Sequence, residues 1–181
     1  MTRFGYVMVA YFAALSTVVT AFIHPSPRLI WNASASVPIG LYRMQTVSAL
    51  KVGDLVAVVP PNTLAGFLAE RHYLPRGVPM LKHVTAIAGQ RVCRIGARIT
   101  VDGKHIGDAR ERDHLGRTLP VWKGCRALSR GDIFVMNRDV ADSFDGRYFG
   151  PLPTSTITGR LTPLWTASER DRAAPTQKST H

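Results

Sequence analysis

Ser36 stands in a segment that could supply a nucleophile. The segment, Ser36-Val37-Pro38-Ile39-Gly40, begins thirteen residues beyond an uncharged apolar run over residues 4–23. Proline fixes its own backbone angle φ, so the chain beside the serine has little freedom. A serine hydroxyl attacks a carbonyl only when a neighbouring base removes its proton. The segment therefore predicts a hydrolase at a membrane surface, provided that the chain also supplies a base.

Lys82 is the best candidate for that base. A lysine can accept the proton of a serine if burial lowers its pKa from about 10.4 toward neutrality. Met80, Val84 and Ala86 share the face of Lys82 if residues 80–87 form a strand, so its ammonium group would lie along an apolar surface. The alternative is a lysine whose charged end reaches water from the edge of a strand.

The histidines are weaker candidates for the base. His83 is nearest to Lys82, but strand alternation turns it to the opposite face. His72, His105 and His114 fall at a helix end and in loops, with no partner pattern. We find neither paired His/Cys spacing nor a glycine-rich phosphate loop, so we expect no metal and no other cofactor.

The elements that must position Ser36 and Lys82 are mostly strands. Alternating or β-branched segments bounded by Gly-Asp or Pro predict strands. Residues 62–73 show helical spacing and are expected to form one short helix that ends before Pro75. Asp102-Gly103 predicts a tight hairpin turn within residues 99–106. The predicted single strands are residues 41–44, 55–59, 80–87, 133–136 and 156–161.

The chain of 181 residues has room for one domain. We expect a β-rich domain over residues 36–165, in which residues 90–128 form an inserted hairpin region. Residues 24–35 are expected to form a stalk that leads to the nucleophile. Residues 166–181 lose apolar periodicity and are expected to be disordered.

The apolar run predicts a membrane anchor. Residues 4–23 contain no charge, and a spanning helix needs about 20 residues. Val19-Thr20-Ala21 loosely fits the cleavage site of a signal peptide, so removal of this segment stays an alternative. Arg3 before the run favours a cytosolic N-terminus, although Arg28 weakens the asymmetry. We expect a periplasmic domain, anchored to the inner membrane by residues 4–23 or released.

Charge and cysteine content indicate which partners and which compartment to expect. The net charge of +11 is typical of a solvated basic surface or of attraction to anionic lipid. The basic residues are scattered and follow no zinc-finger or RNA-binding pattern, so we expect no nucleic acid partner.

Cys93 and Cys125 are the only cysteines; in an oxidising compartment, a disulfide is favoured over two free thiols.

Three segments occur in an order that resembles the signal peptidase I family. They are residues 36–42 (SVPIGLY), 81–84 (LKHV) and 143–150 (SFDGRYFG). The similarity extends from about Asn32 to Pro153 and is greatest to the conjugal-transfer branch, the TraF-type pilin-maturation peptidases. It implies a mainly β fold, with a signal-peptidase-like catalytic domain that contains one short helix and follows an N-terminal transmembrane helix.

The resemblance also implies roles for individual residues. Ser36 matches the nucleophile and Lys82 the general base. Ser34 matches a hydroxyl that joins the Ser36 N–H in stabilising the oxyanion. Asp145 matches an acidic residue of the catalytic centre; the alternative is a structural ion pair with Arg147.

One departure from the family pattern affects the site. Gly146 replaces a serine whose hydroxyl orients the lysine in relatives, so Ser143 or Asp145 would have to take over that contact. The interval from Ser36 to Lys82 is short, as in the transfer branch. The departures leave the Ser/Lys pair intact.

The resemblance implies a serine endopeptidase that processes a secreted conjugative pilin precursor for plasmid transfer, with components of a conjugative type IV secretion system as partners. The acyl-enzyme could be resolved by water or by the amino terminus of the substrate, which would give a circular product. A general signal peptidase acting on preproteins is the first alternative. A self-cleaving repressor-type protease shares the chemistry, but its DNA-binding module is replaced here by the apolar run. A non-catalytic scaffold of a secretion complex is the last alternative.

Overall fold

A computed structural model of the protein describes residues 3–22 and 29–167, without the side chains of residues 20–22. The predicted stalk is therefore described only from residue 29. The predicted disordered tail lies outside the described residues, except for Thr166 and Ala167. The described part of the chain is mainly β, as the sequence predicts, with few helices.

The helix α1 spans Arg3–Phe22 and covers most of the predicted anchor. Within the described residues, no helix has both the length and the apolar character needed to cross a membrane. The transmembrane helix expected over residues 4–23 is therefore not confirmed.

Eleven strands are found in the described residues. In chain order they are β1 (Leu29–Asn32), β2 (Gly40–Gln45), β3 (Leu55–Val58), β4 (Met80–Ala86), β5 (Arg91–Ile95), β6 (Arg98–Val101), β7 (Lys104–Asp108), β8 (Gly124–Ala127), β9 (Asp132–Val135), β10 (Leu152–Pro153) and β11 (Ile157–Thr166). Seven of these form an antiparallel sheet in the order β1-β2-β11-β3-β4-β9-β10. The five predicted single strands correspond to β2, β3, β4, β9 and β11.

The second sheet has four strands in the order β7-β6-β5-β8 and lies within residues 91–127, in the region where the sequence predicts an inserted hairpin. The hairpin of β6 and β7 turns at Asp102-Gly103, as predicted. Both residues have positive φ, 49° and 78°, which is the backbone that a tight turn of this kind requires. The two sheets share one apolar core, in which Val92 and Ile99 of the second sheet pack with Phe134 of β9.

The predicted helix is present as α2 (Asn62–Glu70), three residues shorter than expected. His72 adopts a left-handed backbone with φ of 56°, and the Tyr73 N–H donates back to the Leu68 carbonyl. This pattern ends a helix because it satisfies a terminal carbonyl without another helical turn. A second short helix, α3 (Gly146–Phe149), was not predicted.

Candidate active site

A cavity of about 610 Å³ brings the predicted site residues together. Its lining includes Ser34 and Ser36 from the turn after β1, Lys82 from β4 and Ser143 from the loop after β9. The walls are largely apolar and include the aromatic rings of Tyr73 and Phe144. The fold thus collects side chains from distant parts of the sequence in a pocket large enough for a peptide segment.

Ser36 lies in a tight turn and is half-buried. The Ser36 Oγ lies 3.0 Å from the Ser34 Oγ. The neighbouring Val37 is buried at 4% exposure and anchors the turn in the core. No backbone hydrogen bond from the Ser36 N–H is found among the described residues, so this amide is available to an incoming oxygen atom.

Asn32, which the sequence analysis did not select, holds this turn from inside. Its Nδ2 donates to the carbonyl oxygens of Ser34, Val37 and Pro38 at 2.8, 3.1 and 3.1 Å. Its Oδ1 accepts from the Ser34 N–H at 3.1 Å and from the Ser34 hydroxyl at 2.8 Å. Because a hydroxyl has one proton, Ser34 then accepts from Ser36. Ser34 must rotate away from Asn32 before it can donate to an oxyanion.

Lys82 is buried in β4, with 4% of its surface exposed. Its Nζ donates to the Ser143 Oγ at 2.7 Å. Burial lowers the pKa of Lys82 from 10.5 to about 8; the charge of Asp145 opposes this effect, and that of Arg147 adds to it. Of the two candidates for orienting the lysine, Ser143 makes the hydrogen bond.

The two members of the predicted pair do not touch directly. Among the hydrogen bonds of the described residues, none joins the Ser36 Oγ to the Lys82 Nζ, although both side chains line the cavity. The Ser36 hydroxyl contacts Ser34 instead. Hydrogen bonds of this kind are often completed only when substrate is present, so the geometry is compatible with a Ser/Lys pair.

Asp145 forms a buried ion pair with Arg147. Asp145 is fully buried, and the Arg147 Nε and Nη2 donate to its two oxygens at 2.9 Å each. The Arg147 Nη2 also donates to the Ser143 and Val140 carbonyl oxygens. The ion pair therefore fixes the loop that carries Ser143. Asp145 acts on Lys82 through its charge and makes no hydrogen bond to it within the described chain.

Asn137 is a second polar residue that the sequence analysis missed. It lies two residues after the end of β9 and is 3% exposed. Its Nδ2 donates to the Ser36 carbonyl oxygen at 2.7 Å and to that of Leu81 at 3.1 Å. The one feature of the sequence that could have identified Asn137 is its position, as an asparagine just beyond a predicted buried strand.

The histidines take no part in the contacts of Ser36. His83 is the exposed residue of β4 and faces away from Lys82, as strand alternation predicts. His72 and His114 line the cavity, and His105 pairs with Asp108 at the surface. Within the described ranges, no three His, Cys, Asp or Glu side chains lie close enough to hold a metal ion.

Cys93 and Cys125 form a disulfide that joins β5 to β8. They are direct partners in the antiparallel register of these strands. The bridge therefore stabilises the second sheet and lies apart from the residues that line the cavity.

Comparison with known proteins gives a consistent family. The family model described as signal peptidase, peptidase S26, matches residues 1–165. A probable conjugal transfer protein TraF of Sinorhizobium fredii is 36% identical over 71% of this chain and 72% of its own length. A conjugal transfer protein TraF of Agrobacterium fabrum is 35% identical over 75% of this chain and 81% of its own.

A crystal structure of a signal peptidase I from Enterococcus faecalis matches 65% of this chain and all of its own, with 17% identity and a TM-score of 0.40. The family assignment rests on the sequence matches. The chain belongs to the signal peptidase family, peptidase S26, and within it is similar to the TraF conjugal transfer proteins.

Proposed function

We propose that the chain is a serine endopeptidase that uses Ser36 and Lys82 to process a secreted pilin precursor needed for plasmid conjugal transfer. One observation carries the chemistry: a buried lysine, with its pKa lowered to about 8, shares a cavity with a serine held in a tight turn. The family and the conjugal transfer relatives support the peptidase activity and its role in conjugation.

The first step is attack by Ser36. Neutral Lys82 takes the hydroxyl proton of Ser36, which must turn from Ser34 toward the Lys82 amine. The Ser36 oxygen then bonds to a peptide carbonyl carbon. The resulting oxyanion accepts hydrogen bonds from the free Ser36 N–H and from the Ser34 hydroxyl, once that hydroxyl has rotated. Ser143 keeps the lysine aimed into the cavity during this step.

The next steps complete the acylation of Ser36 and then release the acyl group. The proton on Lys82 passes to the departing amine as the peptide bond breaks, which leaves an ester on Ser36. Attack by water on this ester breaks its bond to the Ser36 Oγ, which regains a proton through Lys82, and gives a linear acid. Attack by the substrate's own amino terminus breaks the same ester bond and forms a peptide bond, and the product is then a ring.

We place this reaction outside the cytoplasm. The Cys93–Cys125 disulfide supports the proposal because structural disulfides persist in oxidising compartments such as the periplasm. An exported precursor would meet the enzyme there, beside the inner membrane and the conjugative type IV secretion components.

The test is a mass spectrum of a candidate pilin precursor co-expressed with the wild type, Ser36→Ala or Lys82→Ala. We expect processing by the wild type and none by the two variants. Ser48→Ala and Lys51→Ala, at exposed positions away from the cavity, are matched controls that keep full processing. A ring is lighter than the linear product by one water. Unchanged processing by folded Ser36→Ala protein would refute the proposal.

A further inference from the structure

Asn137 is hydrogen-bonded to the main chain of both segments that supply the proposed Ser/Lys pair. We propose that Asn137 is a positioning residue that holds the turn of Ser36 at a fixed distance from the strand of Lys82. The proposal rests on the function proposed above, because it assigns Asn137 to the same reaction. It concerns the geometry of the pair and not a further reacting group.

The seven-stranded sheet does not connect these two segments directly. Ser36 follows β1, which is an edge strand, whereas Lys82 lies in β4. Strands β2, β11 and β3 lie between them in the sheet, so no ladder of backbone hydrogen bonds links the turn to β4. A direct link between the two segments must therefore come from side chains.

Asn137 supplies that link from a third segment. Its Nδ2 donates to the Ser36 carbonyl oxygen at 2.7 Å and to the carbonyl oxygen of Leu81, beside Lys82, at 3.1 Å. It is the one side chain of the described residues that is hydrogen-bonded to both segments. Val37 and Leu81 also pack in one apolar cluster. Apolar contacts are not directional, so this packing does not fix the orientation of the turn relative to β4.

The amide group of Asn137 has one possible orientation. Its Oδ1 accepts from the His83 backbone N–H at 3.1 Å, so the oxygen cannot exchange places with the nitrogen. Its Nδ2 has two protons and two carbonyl acceptors, which satisfies it completely. The Asn137 N–H donates to the Asp145 Oδ2 at 3.0 Å, which ties the same residue to the loop that carries Ser143. The three segments that supply Ser36, Lys82 and Ser143 therefore meet at one buried residue.

This arrangement has a kinetic consequence. Proton transfer from Ser36 to Lys82 requires their heavy atoms to approach to roughly 2.6–3.2 Å. A misplacement of about 1 Å can reduce the rate about 100-fold. Asn137 contacts the main chain of Ser36 and Leu81, not the Ser36 hydroxyl or the Lys82 amine, so its loss should affect turnover and leave substrate binding largely intact.

The test compares Asn137→Asp and Asn137→Ala with the wild type. Aspartate has the size of asparagine and keeps the oxygen that faces His83, but it cannot donate to the Ser36 and Leu81 carbonyl oxygens. Asn62→Asp is the matched control, since it makes the same chemical change at an exposed position that does not line the cavity. Steady-state kinetics are compared on the alkaline plateau of the pH–rate profile of each protein, where Lys82 is neutral, and folding is checked by thermal melting.

We expect kcat to fall about 10- to 100-fold in both Asn137 variants, with KM within about twofold of the wild type. Asn62→Asp should keep the wild-type kcat. Wild-type kcat in folded Asn137→Asp protein would overturn the proposal, as would a loss confined to KM.

Hydrogen exchange provides a readout that does not depend on activity. In the segment of residues 33–37, the amide that is protected by a hydrogen bond, that of Ser34, should exchange faster in Asn137→Asp than in the wild type, because the turn has lost its tie to β4. Unchanged exchange in this segment would also overturn the proposal. Ser36→Ala is included in the kinetic series. Activity that survives in Ser36→Ala refutes the Ser/Lys function itself. If Ser36→Ala is inactive but the Asn137 variants keep the wild-type kcat, only the positioning role is refuted.

Discussion

Lys82 is held with its ammonium group away from water. One hydroxyl, that of Ser143, accepts a hydrogen bond from its Nζ within the described residues, although an ammonium group has three protons to donate. The neutral amine, with fewer protons to donate, suits this site better than the charged form. The sequence left open whether the lysine is buried or reaches water, and the 4% exposure settles this in favour of burial.

Activity should rise with pH through the pKa of Lys82. The amine must be neutral to accept the Ser36 proton, and burial lowers its pKa from 10.5 to about 8. The rate of cleavage at low substrate concentration should therefore climb about tenfold per pH unit below the pKa and level off above it. A pH–rate profile checks this; a rate that is constant from mildly acidic to alkaline pH would exclude Lys82 as the base.

Lys82→Met should be inactive yet more stable at neutral pH. A pKa that falls from 10.5 to about 8 on folding means that the charged lysine costs about 3 kcal/mol, at about 1.4 kcal/mol per pKa unit. Between the two values the unfolded wild type binds more protons, so its stability rises with pH. Denaturant unfolding should show a gain of up to about 3 kcal/mol for Lys82→Met at pH 7, shrinking toward pH 10.5. A variant that is less stable than the wild type at pH 7 would contradict the cost of burial.

The sequence predicts some of the helices and strands around the site more clearly than others. Strands β3, β4 and β9 have β-branched runs with turn residues before them, and each was predicted close to its observed bounds. Helix α3 and strand β10 have four and two residues, too few to show a period. Helix α2 ended early because of the left-handed backbone at His72, which no periodic pattern shows.

Gly146 is required by packing at the start of α3. A Cβ at this position would lie 2.6 Å from the Val135 carbonyl oxygen and 2.7 Å from the Phe134 ring. A serine, which the resemblance to the family implies at this position, therefore cannot be introduced here without moving β9. Gly146→Ser should lower the free energy of unfolding by about 1–3 kcal/mol, as overpacking of a buried site commonly does. Denaturant unfolding measures this, and a variant as stable as the wild type would show that the backbone yields easily.

The disulfide should contribute to stability and not to chemistry. Cys93 and Cys125 are 32 residues apart, and closing a loop of this size stabilises a protein by about 3–4 kcal/mol in the chain-entropy model. The Cys93→Ser/Cys125→Ser double variant should melt at a lower temperature and keep its kcat well below that temperature. A loss of kcat in the folded variant would mean that the second sheet shapes the cavity.

At the scale of the whole molecule, the site is assembled from distant segments, and this limits what sequence can predict. Three short motifs were enough to select Ser36, Lys82 and Ser143, which line one cavity. Asn32 and Asn137 were missed because their importance lies in contacts. The bond from Asn137 to Ser36 spans 101 residues, and no local pattern in the sequence indicates it.

The most direct test of the central claim is to look for the ester on Ser36. Wild-type protein is mixed with a substrate peptide, quenched with acid during turnover, digested and analysed by mass spectrometry. We expect an adduct with the mass of the acyl fragment on the peptide that contains Ser36, and none in Ser36→Ala or Lys82→Ala protein. Cleavage that continues in Ser36→Ala, or an adduct that maps to another residue, would contradict the account.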